Sequence, residues 1–230
     1  MARIRWLGHA TFIIKLSGYT IAIDPWITNP LSPYRSIDSF AKDYPDIDFI
    51  FVTHDHGDHV GDSIELLKRY RGAKLVALYE LAEHIAREVS DHNRVVATNI
   101  GGPVKLGGIE AVFTPAVHSS SISDPSGVIV FGEDKAIYHA GDTGIFSEMS
   151  LIKELYNPTV VLIPIGGHFT MGIKEAVKAL ELLRPRYAIP MHYNTFDVIR
   201  VDVDKFVELA KNRVPETTIV VLKPGEELVV

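Results

Sequence analysis

Thr53-His54-Asp55-His56-Gly57-Asp58-His59 is the stretch on which the reading of this chain turns. It follows Phe49-Ile50-Phe51-Val52, an aromatic and β-branched run of the kind that forms a buried strand. In an extended segment side chains two apart point the same way, so His54 and His56 can grip one metal ion. Gly57 allows a sharp turn that presents Asp58 and His59 to a neighbouring position. Neutral imidazole and carboxylate are donors that zinc and similar borderline divalent metals accept, at about 2.0–2.2 Å. Two ions about 3.5–4 Å apart need more donors than these four, one of them bridging.

Outward from this stretch, further metal-type residues fall at matching places. His118 follows the predicted strand 110–114. Asp142 lies in the turn Ala140-Gly141-Asp142-Thr143 after the predicted strand 136–139, and His192 follows the predicted strand 187–191. Each stands just past the C-terminal end of its strand, as the 54–59 cluster does. Loops at one edge of a sheet scaffold are where catalytic residues converge. A carboxylate has two oxygens to share between two cations, and Asp142 takes that bridging role.

The rest of the pattern predicts short strands at 3–7, 11–16 and 19–24, with Ser17-Gly18 as a hairpin turn. An irregular connection, 25–46, carries prolines at 25, 30, 33 and 45; its length marks it as a lid or a subunit contact. A helix begins near Asp62, where Glu65 three residues on gives the spacing of a capping box. Then come a strand at 74–78, a helix at 79–89, and strands at 94–98, 103–106, 110–114, 128–132 and 136–139. A helix at 146–156, a strand at 159–165, a helix at 173–183, a strand at 187–191, a helix at 203–211 and strands at 218–222 and 227–230 complete it. Hairpin-connected strands open each half and alternating strands and helices close it. That order predicts an α+β fold of two sheets packed face to face with helices outside, one domain over 1–230 made of two similar halves.

Composition narrows the function classes. The chain has 230 residues, 47% hydrophobic and 23% charged, which is enough apolar material for a sizeable core. Its 23 Lys and Arg against 29 Asp and Glu leave a net charge of -6, which argues against capture of nucleic acid or an anionic membrane. With no cysteine there is no disulfide, thiolate zinc site or thiol nucleophile. Arg3 and Arg5 precede an apolar stretch broken by His9, Thr11, Lys15 and Ser17, so no secretion signal is expected. No uncharged apolar run approaches the ~18 residues of a membrane span. The expectation is a cytoplasmic protein. Gly101-Gly102 and Gly107-Gly108 read as turns, and no phosphate-binding loop or dinucleotide fingerprint is present.

The H-x-H-x-D-H string at 54–59, with His118, Gly141-Asp142 and His192 downstream, resembles the metallo-β-lactamase superfamily over essentially the whole chain. The segments Trp6-Leu7-Gly8-His9-Ala10-Thr11, Ile23-Asp24-Pro25-Trp26 and Pro164-Ile165-Gly166-Gly167-His168-Phe169-Thr170-Met171 are similar to those of small metal-dependent hydrolases within it. These are related to ascorbate-6-phosphate lactonases and N-acylphosphatidylethanolamine phospholipases. The resemblance implies a four-layer αβ/βα sandwich with a dinuclear metal site at one edge. It assigns His54, His56 and His118 to one ion, Asp58, His59 and His192 to the other, and Asp142 to both. Two divalent ions are implied, zinc by preference, with manganese, nickel or iron also suited to an all-His/Asp donor set. The implied chemistry is attack by a metal-bridging hydroxide on a lactone, carboxylic ester or phosphodiester in a small molecule. A homo-oligomer is in keeping with the resemblance.

Other residues receive supporting roles. Asp24, at a strand end, accepts a ring N–H from a ligand histidine. His168 donates to a developing oxyanion, with His9 as a second donor of that kind, while Asp58 orients the attacking oxygen as it ligates. His139 belongs to the core; His84 and His92 belong to the surface. A Ser119/His118 nucleophilic pair would require taking His118 from the metal and ranks low. Three other classes compete: a nuclease or phosphodiesterase, a mononuclear-iron oxygen-using enzyme, and a non-catalytic metal-binding module. The first lacks a Lys/Arg run, the second leaves Asp58, His59 and His192 without a purpose, and the third leaves a full donor set idle.

Overall fold

In the computed structural model, which describes residues 1–230, the apolar residues of the N-terminal strands sort into two interleaved sets. Strands β1 (Arg3–Trp6), β2 (Phe12–Leu16) and β3 (Tyr19–Ile23) form an antiparallel meander. It continues in parallel through β4 (Phe49–Phe51), β5 (Lys74–Leu78) and β6 (Val95–Thr98). Ile21, Ile23, Phe49, Phe51, Val76 and Leu78 join the main core shared with the second sheet. The alternate residues Ala22, Ile50, Val52, Leu75 and Ala77 join a separate core on the outer face. Period-two alternation with both faces apolar is what a sheet covered on both sides requires. The outer core is closed by Phe40 of α1 (Ile37–Asp43), Leu66 and Leu67 of α3 (Ser63–Arg69), and Leu81 and Ile85 of α4 (Tyr79–Val89). The four-residue α2 (Gly57–Val60) lies within the histidine-rich stretch.

The second sheet repeats the plan. Strands β7 (Pro103–Leu106), β8 (Ile109–Pro115), β9 (Ser126–Gly132) and β10 (Lys135–His139) are antiparallel, and β11 (Val160–Pro164), β12 (Tyr187–Met191) and β13 (Thr218–Ile219) follow in parallel. Helices α5 (Met149–Tyr156), α6 (Ile173–Leu183) and α7 (Val203–Arg213) cover it. Ala176, Val177, Ala179, Leu180 and Leu183 make one buried stripe on α6, as a helix packed on a sheet needs. The last strand, β14 (Glu227–Val229), returns to pair with β1. The result is an α+β sandwich of four layers: helices, sheet, sheet, helices.

Strand direction places the site. β1 and β3 both run antiparallel to β2, and β4 runs parallel to β3, so the loops leaving β1, β3 and β4 emerge at one edge. β8 and β10 both run antiparallel to β9, with β11 and β12 parallel to β10, so their outgoing loops also share an edge.

Several local expectations are corrected. The 25–46 connection is not wholly irregular, because it contains α1, capped by reciprocal Ser36 and Ser39 hydrogen bonds. That box uses Ser where Glu or Gln is the usual signal, and the helix buries only Phe40, so its apolar periodicity is faint. Asp62 does precede α3 but makes no capping bond. Its carboxylate instead accepts from the Thr28 N–H at 3.1 Å and from the Thr28 hydroxyl, tying the proline-rich connection to the helix start. Residues 57–60 form a turn of helix with His56 at its N-cap rather than a simple bend. The helix expected from 146 begins at Met149, and the strand expected over 218–222 is paired only at Thr218 and Ile219.

Candidate metal centre

The seven donor-type residues meet where the two sets of loops converge. His54 Nε2 lies 2.9 Å from His56 Nδ1, and that Nδ1 lies 3.3 Å from His118 Nε2. Asp142 Oδ2 is 3.6 Å from His118 Nε2 and 3.0 Å from His192 Nε2, while its Oδ1 is 3.2 Å from His59 Nε2. His192 Nε2 is 3.9 Å from Asp58 Oδ2. The donor atoms form two groups of four, His54, His56, His118 and Asp142 in one, His9, Asp58, His59 and His192 in the other. Asp142 reaches histidines of both.

Sharp turns after the strands achieve this convergence. His9, Asp24 and His192 adopt φ of 52°, 45° and 53°, a left-handed conformation that costs a non-glycine residue about 1–2 kcal/mol. Three such residues beside one donor set is the pattern of strain held at a functional site. Gly141 is at φ 63°, and a Cβ there would stand 2.3 Å from the Ser126 carbonyl oxygen, so only glycine lets the chain turn tightly enough to aim Asp142 inward.

Ring orientation is fixed by a buried carboxylate. Asp24, fully buried, accepts from the Thr53 N–H at 2.8 Å, the Thr53 hydroxyl at 2.7 Å and His59 Nδ1–H at 2.6 Å. Because the Thr53 hydroxyl donates to Asp24, its oxygen is left to accept from His54 Nδ1–H, 3.1 Å away. One carboxylate thus fixes the Nδ1 side of a histidine in each group and turns both Nε2 atoms inward, where a bound cation would take the place of a ring proton. His9 bridges Thr195 Oγ1 and Asp58 Oδ2, 2.9 Å from each. Asp55, inside the motif, accepts from Ser120, from the Ser121 N–H at 3.0 Å and from the Ile122 N–H at 3.1 Å, which anchors the loop carrying His118.

The electrostatics fit a cation. Burial, with the neighbouring His59, pushes His54 down to about 2; burial outweighs the Asp58 hydrogen bond at His9 and takes it to about 4. Both rings are neutral at pH 7. Burial disfavours charge on His59, yet Asp142 and Asp24 outweigh it and hold its pKa well above the ordinary value. Burial likewise opposes ionisation of Asp142, and His59 and His192 overcome it, keeping the carboxylate well below the usual range. His59 Nε2, Asp142 Oδ1 and both ring nitrogens of His192 are buried without a well-formed hydrogen bond. Buried polar atoms are normally satisfied, so His59 Nε2, His192 Nε2 and Asp142 Oδ1, under-bonded around one point, fit a divalent cation that would displace the His59 proton.

The remaining residues fall as follows. His139 is buried in β10, its Nε2–H donating to the Ala10 carbonyl at 2.8 Å. His84 and His92 are exposed. Both ring nitrogens of His9 are engaged, so it has no N–H left for an oxyanion and holds Asp58 instead. His168 is exposed and packs edge-on against Phe169, ring centroids 4.4 Å apart, and the open cleft is lined by Phe169 rather than by His168. Ser119 lines the cleft as well; His118 Nε2 points to His56 and Asp142, not to a serine. This cleft, about 290 Å³, has His56, Asp58, His118, Asp142 and His192 as its floor and Ser119, Phe169 and Phe196 in its walls. A larger depression of about 740 Å³, lined by Lys105, Glu110, Glu133 and Lys135 among others, contains no donor group.

A sandwich of this layering with a two-group His/Asp centre at its loop edge defines the metallo-β-lactamase fold class. A sequence model of the beta-lactamase superfamily domain matches residues 19–193. The chain belongs to that superfamily and, within it, to the family of UPF0173 metal-dependent hydrolases. A member from Thermofilum pendens is 57% identical over 98% of each chain, and one from Staphylothermus marinus is 53% identical over 98% of each. The solved structure of Igni18, a metallo hydrolase from Ignicoccus hospitalis, superposes with a TM-score of 0.92 at 42% identity, covering 99% of this chain and 97% of that one. No helix is long and apolar enough to cross a membrane.

Proposed function

We propose that the chain is a dinuclear metal-dependent hydrolase that cleaves an ester-type bond, whether lactone, carboxylic ester or phosphodiester, in a small molecule. The observation that carries this reading is Asp142: its two oxygens lie 3.0–3.6 Å from histidine nitrogens of both donor groups. His54, His56 and His118 would hold one divalent cation, Asp58, His59 and His192 the other, and Asp142 both. Zinc is the first choice, and manganese, nickel and iron suit the same donors. Such a pair, when bound, supplies a water of lowered pKa and polarises the carbonyl or phosphoryl oxygen under attack.

The chain's own residues prepare that chemistry. Asp24 locks His59, and through Thr53 also His54, with Nε2 inward. His9 holds Asp58 at the cleft floor, where its carboxylate is set to orient the attacking water. The low pKa of Asp58, where hydrogen bonding from His9 and the charge of His59 beat the cost of burial, keeps it ionised as an acceptor. Family membership supports hydrolysis, since the relatives are named metal-dependent hydrolases.

The test is a screen of the metal-reconstituted chain against lactones, carboxylic esters, thioesters and phosphodiesters, with Asp142→Asn alongside. Turnover in at least one ester class, lost together with metal content in Asp142→Asn, is the expected result. Full metal occupancy and unchanged activity in that variant would overturn the assignment.

A further inference from the structure

Apart from its donor floor, the cleft is walled by two phenyl rings and Ser119, with no lysine or arginine. Phe169 and Phe196 are 54% and 40% exposed, yet both line it. Rings left this open to water keep apolar surface that a ligand could bury. Neither ring sits on a loose segment. The Phe169 turn is closed by the Gly167 N–H donating to the Met171 carbonyl at 3.0 Å, and the Met171 N–H donates to the Thr143 carbonyl at 3.0 Å, one residue past Asp142. The Phe196 turn is closed by the Asn194 N–H donating to the Ile199 carbonyl at 3.0 Å, and its neighbour Thr195 is bonded to His9. Trp26 stacks on Phe196, with centroids 6.0 Å apart and planes at 27°. Val117, Ile122 and Val198, on the loops that carry His118 and Phe196, are exposed as well.

No lysine or arginine lines the cleft. Arg200, four residues past Phe196, is ion-paired with Asp197 at 2.6 Å and is mostly exposed. A phosphate or carboxylate on a substrate would find no fixed guanidinium or ammonium there to pair with. An alkyl or aryl arm finds preset phenyl surfaces, and preorganised walls lower the ordering cost of binding.

We propose that the substrate carries an uncharged alkyl or aryl arm that lies against Phe169 and Phe196 while its ester-type bond faces the donors. This selectivity rests on the hydrolase reading above; the apolar arm site itself is separately testable.

Two assays separate the two claims. The first compares the zinc-loaded chain on p-nitrophenyl acetate, p-nitrophenyl octanoate and the anionic mono-p-nitrophenyl glutarate. Six added methylenes, each only partly buried because the cleft is open, predict a kcat/KM at least about tenfold higher for octanoate than for acetate. Glutarate should fall below both. Phe169→Ala and Phe196→Ala should each narrow the octanoate-to-acetate ratio, mainly through KM. The second assay needs no hydrolysis: 2-octanone and 2-butanone are titrated against the chain by calorimetry, and 2-octanone should bind at least about tenfold tighter, an advantage reduced in both variants.

Tight binding of 2-octanone without turnover of any ester supports the arm site and removes the hydrolase reading. Ester turnover with no octanoate preference, or with glutarate preferred, overturns the proposal and leaves the hydrolase reading standing. An oligomer that Phe169→Asp dissociates, with ester and ketone selectivity unaltered, also overturns it, since the rings would then be covered by a second copy of the chain.

Discussion

Replacing Asp24 with Asn alters one atom of a residue that touches no solvent, and both donor groups should register it. Asp24 accepts three hydrogen bonds of 2.6–2.8 Å. With its carbonyl oxygen kept toward His59, the new amide points an N–H₂ at the Thr53 N–H, and two buried donors face each other. With the amide reversed, its N–H₂ faces the His59 Nδ1–H, and that ring loses the acceptor that orients it. Leaving a buried donor unpaired costs about 1–3 kcal/mol, and bonds to a charged acceptor are worth about 1.5–3 kcal/mol. The metal-free variant should therefore be destabilised by about 2–5 kcal/mol. Loss of such an orienting partner weakens metal affinity by about 10–100-fold. Guanidinium unfolding of the chelator-stripped proteins measures the first effect, and zinc competition against a chromophoric chelator measures the second. An Asp24→Asn variant that unfolds at the wild-type midpoint and holds zinc as tightly would refute the assignment of Asp24 as the group that sets these rings.

Two further outcomes follow from the same geometry. Gly141→Ala drives a Cβ against the Ser126 carbonyl at a left-handed position, so it should cost about 2–4 kcal/mol in thermal or guanidinium unfolding and reduce metal content with it; a neutral effect would mean the turn is slack. Acid should destabilise the metal-free chain well before its carboxylates protonate. His9 and His54 are held at about 4 and about 2 by burial, below the 6.5 of an unfolded histidine. A depressed folded pKa gives stability that is present above the unfolded value and lost as pH falls toward the folded one. Each ring therefore withdraws up to about 1.4 kcal/mol per pH unit between pH 6 and 4. His59, shifted upward, loses its contribution only as pH rises, so it does not mask this slope. A flat unfolding midpoint from pH 6 to 4 would contradict the buried neutral state of the two rings.

That these His and Asp residues converge was legible because strand-end position and residue type carry the information together. His54 and His56 sit two apart after an apolar strand, and Asp142 sits behind a glycine in a turn after another. Asp24 was legible for the same reason, being polar at the end of an apolar strand. Three-dimensional closure was not. The bond between His9 and Asp58 spans 49 residues and that between His9 and Thr195 spans 186, so nothing local in the sequence separates a histidine that holds a carboxylate from one that faces substrate. His168 and Phe169 are adjacent, and which of them lines the cleft depends on a turn through Gly167 that spacing does not specify. Helix α1 is faint in the sequence because a Ser–Ser box and one buried Phe leave little trace in composition.

A centre for two cations built around one shared carboxylate fixes the metal stoichiometry of the chain. Chelator-stripped protein, reloaded with excess zinc or manganese and freed of unbound ion, should carry two equivalents per chain by elemental mass spectrometry, with both equivalents reduced in Asp142→Asn. Saturation at one equivalent, or at none, would contradict it.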